Sequence, residues 1–274
     1  MNIEKVFLFI LNMSLTSSYV IIAIILLRFF FKKAPRWING VLWAIASFRL
    51  IFPFSFNSIL SIFSIIPNSS ITTTEILYSE TPKINSGIPY LNSMVNPIIS
   101  ESMEPSVGAS VNPMQVVIWV ASIIWLIGIA VLFIYSITTY LKLKNRTAEA
   151  TLLKDNIYQS ENIASPFMLG LIKCRIYIPY TLTQLQLYNV LSHECAHIQR
   201  RDYLLKPLAF CILALHWFNP IVWIAYLLFC KDIEMACDEK VIKNMDSDQR
   251  KSYSSTLLAL AMKNNKITFC PIAF

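Results

Sequence analysis

Charge is scarce in this sequence: Asp, Glu, Lys and Arg together make up 14% of 274 residues, against 55% hydrophobic residues. That balance is unusual for a soluble protein of this size and makes a membrane the first hypothesis. Between Val6 and Leu27 there is no charge at all, an apolar run of 22 residues, long enough to cross a hydrocarbon core of about 30 Å as a helix. No small-residue cleavage site follows it, and a cationic cluster lies there instead, which favours an anchor over a removable signal peptide. Cysteine is missing from the whole first half. All six (Cys174, Cys195, Cys211, Cys230, Cys237 and Cys270) lie beyond residue 173, a distribution suited to reduced thiols in a cytoplasmic segment. The net charge of +7 comes with no basic recognition helix, so direct nucleic-acid binding is not expected.

Two further apolar stretches follow, Trp37 to Phe56 and Val116 to about Tyr135. The expected organisation is two transmembrane helices in residues 1–56, an external loop over 57–115, a third transmembrane helix over 116–141 and a cytoplasmic zinc domain over 142–274. Orientation comes from basic residues, which concentrate on the cytoplasmic side. Arg28, Lys32, Lys33 and Arg36 separate the first two spans, and Lys142, Lys144 and Arg146 follow the third. Arg49 lies inside the second span, where a charge must snorkel or find a partner; it is read as reaching toward the outer headgroups.

Residues 151–180 change character, with short β-rich runs at 156–159, 167–169 and 175–178 punctuated by Pro166, Gly170 and Pro179. Next, Thr183 can cap a helix whose apolar side holds Leu185, Leu187, Val190, Leu191, Cys195 and Ile198. On the adjoining arc lies His193-Glu194-Cys195-Ala196-His197, an HExxH motif. Two histidines four apart on a helix can hold one Zn²⁺, and the glutamate beside the first can take a proton from water. With three histidines and ten glutamates in the chain, chance produces this pattern about once in a thousand such sequences. Cys195, turned about 100° from its neighbours, is expected to pack rather than ligate.

A catalytic zinc needs a third protein ligand. Glu234 is expected to supply it, with Cys237, Asp238 and His216 as rivals, and Asp238 one turn later can hold a ligand histidine from behind. Asp202, five residues past His197, is placed behind the ligands or at a helix end. The hydrophobic piece from Pro207 to Cys230 cannot cross the membrane, because the zinc residues on either side of it would then be separated. Asn219-Pro220 divides it into halves of about eleven residues, roughly 17 Å each, too short to span. It is read as a helical hairpin that dips into the membrane and returns, with His216 and Trp217 as interfacial residues at its tip.

Together these residues resemble the BlaR/MecR type of bacterial membrane metallopeptidase. The resemblance rests on Arg49-Leu-Ile-Phe-Pro-Phe-Ser, Ser165-Pro-Phe-Met-Leu-Gly-Leu-Ile before Ile176-Tyr-Ile-Pro, the His193 motif continuing to Arg201-Asp202, His216-Trp-Phe-Asn-Pro220 and Glu234-Met-Ala-Cys-Asp-Glu239. It implies a mainly α integral membrane protein, with a cytoplasmic α+β gluzincin-like zinc domain between membrane helices. It also implies that His193, His197 and Glu234 hold zinc, and that a cytoplasmic repressor, or the protein itself, is cleaved in response to β-lactam or envelope stress. Full members of the type continue into another transmembrane helix and, in the β-lactam sensors, an external penicillin-binding domain. Neither lies within these residues, so the chain is expected to be a shortened form without direct β-lactam sensing.

The expected chemistry is hydrolysis with Glu194 as base, with no nucleophilic serine or cysteine required. Expected partners are the lipid bilayer and a repressor-like substrate, with a homodimer left open. The alternative is a catalytically idle, truncated membrane scaffold or signalling-domain fragment, against which the retained Glu194 argues.

Overall fold

The structure, a computed structural model, describes residues 3–30, 36–52, 93, 94, 96, 97, 113–170 and 173–263. It is mostly helical with one small sheet. The chain enters as α1 (Ile3–Phe30) and α2 (Trp37–Ile51), and resumes as α3 (Pro113–Arg146). Four strands follow, β1 (Thr151–Lys154), β2 (Ile157–Ser160), β3 (Phe167–Leu169) and β4 (Arg175–Pro179), then α4 (Gln184–Arg200), α5 (Asp202–Leu215), α6 (Pro220–Ile242) and α7 (Ser247–Lys263). By length and composition α1 and α3 are each able to cross a membrane, whereas α2 has only 15 residues. The remainder of the expected second span, 53–56, and nearly all of the expected external loop lie outside the described residues.

The chain divides into two compact units. The first takes residues 1–17 and 49–128. Within it Leu8 and Ile118 pack with Phe7, Leu11 and Met114, and Phe7 tilts against Trp125 with ring centres 6.0 Å apart. Arg49 finds protein partners here rather than reaching for headgroups alone. Its guanidinium donates to Thr16 Oγ1 at 3.2 Å and to the Phe52 carbonyl at 3.3 Å.

The second unit takes residues 18–48 and 129–274. Its sheet has the order β1-β2-β4-β3, with β2 and β4 parallel and both outer pairs antiparallel. Alternation along β4 separates two layers, as the pleat requires. Ile176 and Ile178 join Met168 and Val190 in a core that packs Leu187, Leu191 and Ile198 of α4. Tyr177, on the opposite face, sits with Ile163 and Leu169 against Tyr140 and Leu143 of α3. Burying each of the large aliphatic side chains contributes about 1.5–3 kcal/mol, so the sheet ties α4 on one face to α3 on the other. Gly170 closes β3 at φ 117, where an added Cβ would stand 2.4 Å from the Lys173 carbonyl oxygen; only glycine fits.

The helix starts follow local chemistry. Thr183 Oγ1 accepts from Gln186 N at 3.3 Å while Gln186 Oε1 accepts from Thr183 N at 3.1 Å, a reciprocal capping box. Asn219 Oδ1 accepts from Ile221 N at 2.9 Å, with Pro220 at the first helical position of α6. The hydrophobic piece from 207 to 230 is thus a helical hairpin, although its first arm begins at Asp202 and carries Pro207 inside it. His216 is buried within the protein, 1% exposed, rather than standing at an interface. Leu185 and Cys195, expected on the packed side of α4, are exposed.

Two polar contacts fix α6 along α1. Asn219 Nδ2 donates to Ser18 Oγ at 2.7 Å, and the Asp232 carboxylate accepts from Arg28 Nε at 2.7 Å and Nη2 at 2.6 Å. Trp43 Nε1 of α2 donates to the same carboxylate at 2.8 Å.

Candidate metal centre

The site is built on α4 and closed by α6 and α7, with α5 supporting it. Because α4 packs its aliphatic side on the sheet, the arc carrying His193, Glu194 and His197 turns toward the helices that follow. The two imidazoles present Nε2 atoms 3.1 Å apart. Glu234 of α6 brings Oε2 to 3.6 Å from His193 Nε2 and 3.4 Å from His197 Nε2. Three ligand atoms on one zinc, with bonds of roughly 2.0–2.1 Å at tetrahedral angles, stand about 3.3 Å from one another. The donor set and its spacing fit that ion.

The far nitrogens are held as a metal site requires, because a neutral histidine that donates from Nδ1 offers a lone pair at Nε2. His197 Nδ1 lies 2.8 Å from Asp202 Oδ2, and Asp202 is fully buried with Arg200 Nε donating to it at 3.0 Å. The aspartate reaches back because Arg201 turns the chain between α4 and α5 in the left-handed conformation, φ 59. His193 Nδ1 lies 2.8 Å from the Tyr253 hydroxyl of α7 and 3.3 Å from Asp238 Oδ1. Lys206 of α5 donates to Glu234 Oε1 at 2.7 Å, leaving Oε2 to face the imidazoles.

These contacts create a strongly polarised pocket. Burial opposes a charge on His193, but hydrogen bonds to Asp238, Cys237 and Glu234 outweigh it and hold the imidazole far above its ordinary range. His197, subject to the same burial, is pushed up to about 11 by Asp202, Cys237 and Glu234. Burial also disfavours the Glu234 carboxylate, yet His193, His197 and Lys206 hold it well below the usual range. Negative groups thus surround the two imidazoles. Glu194 differs from its neighbours. Burial pushes its carboxyl up, against the pull of His193 and His197, and Oε2 has no hydrogen-bond partner among the described residues.

The structure thus brings His193, His197, Glu234, Asp202 and Asp238 together, and leaves His216 at the hairpin tip. Cys237 is the rival that remains in range, since its Sγ clusters with the two histidines within 4.8 Å. It stands 3.9 Å from His193 Nδ1 and 3.4 Å from the His193 carbonyl, and it also contacts His197. Lys206 and Tyr253 escaped the sequence reading. A lysine nine residues after His197 and a tyrosine nineteen residues after Glu234 carry no local signal.

Comparison with known proteins gives a consistent picture. The sequence model of the family described as BlaR1 peptidase M56 matches residues 8–271. The chain is 27% identical over 106 residues to the methicillin resistance mecR1 protein of Staphylococcus aureus, covering 37% of this chain and 18% of that protein. It is 23% identical over 158 residues to the regulatory protein BlaR1 of Bacillus licheniformis, covering 49% of this chain and 26% of that protein. The matched stretches thus span about a fifth to a quarter of these relatives.

Proposed function

Because this chain belongs to the BlaR1 peptidase M56 family, we propose that it is a zinc-dependent endopeptidase of the bacterial inner membrane. On this reading it cleaves a cytoplasmic repressor-like protein, or itself, as a step in signal transduction. The observation that carries the reading is the convergence of His193 Nε2, His197 Nε2 and Glu234 Oε2 within 3.1 to 3.6 Å. Zinc held by these three supplies Lewis acidity toward the scissile carbonyl. Glu194, adjacent to the first histidine and with Oε2 unpaired among the described residues, takes the proton of the attacking water and delivers it to the leaving amine. A carboxylate raised by burial is the better base for that transfer. Asp202 and Asp238 keep the imidazoles oriented, and Lys206 keeps one Glu234 oxygen turned inward.

The membrane placement rests on the two contacts between α6 and α1. Arg28 ends the apolar run of α1 and Ser18 lies ten residues before it, about 15 Å along a helix axis, or half a hydrocarbon core. Asn219 at the hairpin tip meets Ser18 and Asp232 meets Arg28, so the hairpin reaches about mid-bilayer and returns. The zinc residues then lie on the side of Arg28, which the basic residues assign to the cytoplasm.

The decisive experiment compares the parent with Glu194→Gln in a reconstituted membrane, reading zinc content and peptide-bond cleavage. Glu194→Gln is expected to keep zinc and lose hydrolysis by about 10² to 10⁴-fold. Full hydrolysis in that variant would remove Glu194 as the base.

A further inference from the structure

Tyr253 belongs to none of the sequence motifs, yet it is 2% exposed and its hydroxyl sits between two site residues. It is 2.8 Å from His193 Nδ1 and donates to Asp238 Oδ1 at 2.7 Å. A hydroxyl that gives its proton to a carboxylate keeps its lone pairs for an incoming donor. The imidazole Nδ1–H therefore donates to the tyrosine oxygen, and the tyrosine O–H donates to the aspartate. Asp238 also approaches Nδ1 directly, but at 3.3 Å, so the shorter route runs through the hydroxyl.

We propose that Tyr253 is the positioning residue for His193, acting with Asp238 as one relay that fixes the ring with Nε2 toward the metal. This rests on the reading of His193 as a zinc ligand. A direct role for Tyr253 on the substrate does not fit, because it meets the imidazole at Nδ1, the side away from Nε2. Cys237 Sγ stands 3.9 Å from that same nitrogen and is the weaker partner for it.

The placement is enforced by the neighbours of Tyr253 on α7. Asn189, one turn before His193 on α4, donates to Ser252 Oγ at 3.2 Å and to Thr256 Oγ1 at 3.0 Å. Asn189 and Thr256 are both buried, and Leu260 packs on the core cluster beneath α4. These contacts set the register of α7 on α4 and deliver the hydroxyl to the imidazole. The docking of α7 is thereby part of the metal centre.

The test uses the full chain in detergent or nanodiscs, with zinc affinity from chelator competition and the visible spectrum of the Co²⁺-loaded protein. Parent, Tyr253→Phe, Asp238→Asn and the double variant are compared. Phenylalanine keeps the ring packing, so a purely structural role for Tyr253 would leave affinity and spectrum unchanged; that result would overturn the proposal. The expected result is a loss of about 10 to 100-fold in zinc affinity for Tyr253→Phe, an altered Co²⁺ spectrum, and a double variant no weaker than the weaker single one. Additive losses would show two independent contacts and overturn the relay. Should the parent bind zinc through His193 and Tyr253→Phe weaken it while no peptide is cleaved, the inference stands and the peptidase reading falls. Cleavage that depends on Glu194, with parent-like zinc affinity in Tyr253→Phe, gives the reverse. A parent without His193-dependent zinc overturns both.

Discussion

Asp232 and Glu234 stand two residues apart on α6, on different sides of the helix, and have opposite surroundings. Asp232 has 5% of its side chain exposed and is closed by a bidentate Arg28 and the Trp43 indole. Its partners come from α1 and α2, and they use both carboxylate oxygens. Glu234 has 44% of its side chain exposed and gives one oxygen to Lys206 and the other to the two imidazoles. A structural carboxylate is completed by protein; a carboxylate that is to bind a metal must keep an oxygen available. One helix thus carries the tie to α1 and α2 and, a fraction of a turn later, the third candidate ligand.

The largest effect that could break this contrast is on zinc. Glu234→Ala should lose stoichiometric metal, a weakening beyond the roughly 100-fold that follows from changing groups behind a ligand, as measured by chelator competition. If instead Cys237→Ala loses the metal and Glu234→Ala keeps it, the contrast is drawn at the wrong residue. Asp232→Ala should act on the other side of the ledger, leaving Arg28 without its carboxylate and costing about 3–5 kcal/mol of stability. The fraction that remains folded should bind zinc like the parent; a loss of zinc at unchanged unfolding temperature would show that Asp232 belongs to the metal centre.

Two smaller changes sharpen the picture around the imidazoles and Glu234. Asp202→Asn leaves a carboxamide oxygen where His197 Nδ1 found a carboxylate, and zinc affinity should fall by about 10 to 100-fold. The smallest effect belongs to Lys206→Met, which should stay within about tenfold at neutral pH, the low end for groups behind a ligand, since the two imidazoles also hold the Glu234 carboxyl ionised. Its signature is in the pH dependence. The folded protein holds the Glu234 carboxyl below its ordinary 4.5, so its ligand form persists above that value and is lost as pH falls through the lower folded one. Removing Lys206 takes away one of the positive charges beside Glu234, so in the metal-free protein this carboxyl should titrate at a higher pH than in the parent, as followed by carboxyl NMR. A titration that does not move would show that Lys206 does not govern Glu234.

Much of this was legible without coordinates, and it was legible where the chemistry is local. The Thr183 cap, the hairpin break at Asn219-Pro220 and the β-rich runs at 167–169 and 175–178 each depend on neighbours within a few residues. So does the pairing of His193 with His197, because helical periodicity alone puts residues four apart on one face. Glu234 and Asp238 could be nominated by the same periodicity, but their approach to the imidazoles could not. The misjudged residues have a common cause. Leu185, Cys195 and His216 were assigned by hydrophobicity or by position at a turn, and their exposure depends on which other helices cover α4 and the hairpin tip.

The sequence by itself determined the apolar run of α1, the basic clusters that follow the apolar stretches, and the HExxH helix with its cap. These follow from composition and from the 3.6-residue period. Only the tertiary structure decided that Glu234 Oε2 meets both Nε2 atoms, that Lys206 and Tyr253 complete the centre, and that Asp232 is held by Arg28 and Trp43. Those partners are separated from one another by between 28 and 204 residues, apart from Tyr253 and Asp238. Contacts of that separation are set by how α5, α6 and α7 pack on α4 and α1, which no local pattern encodes.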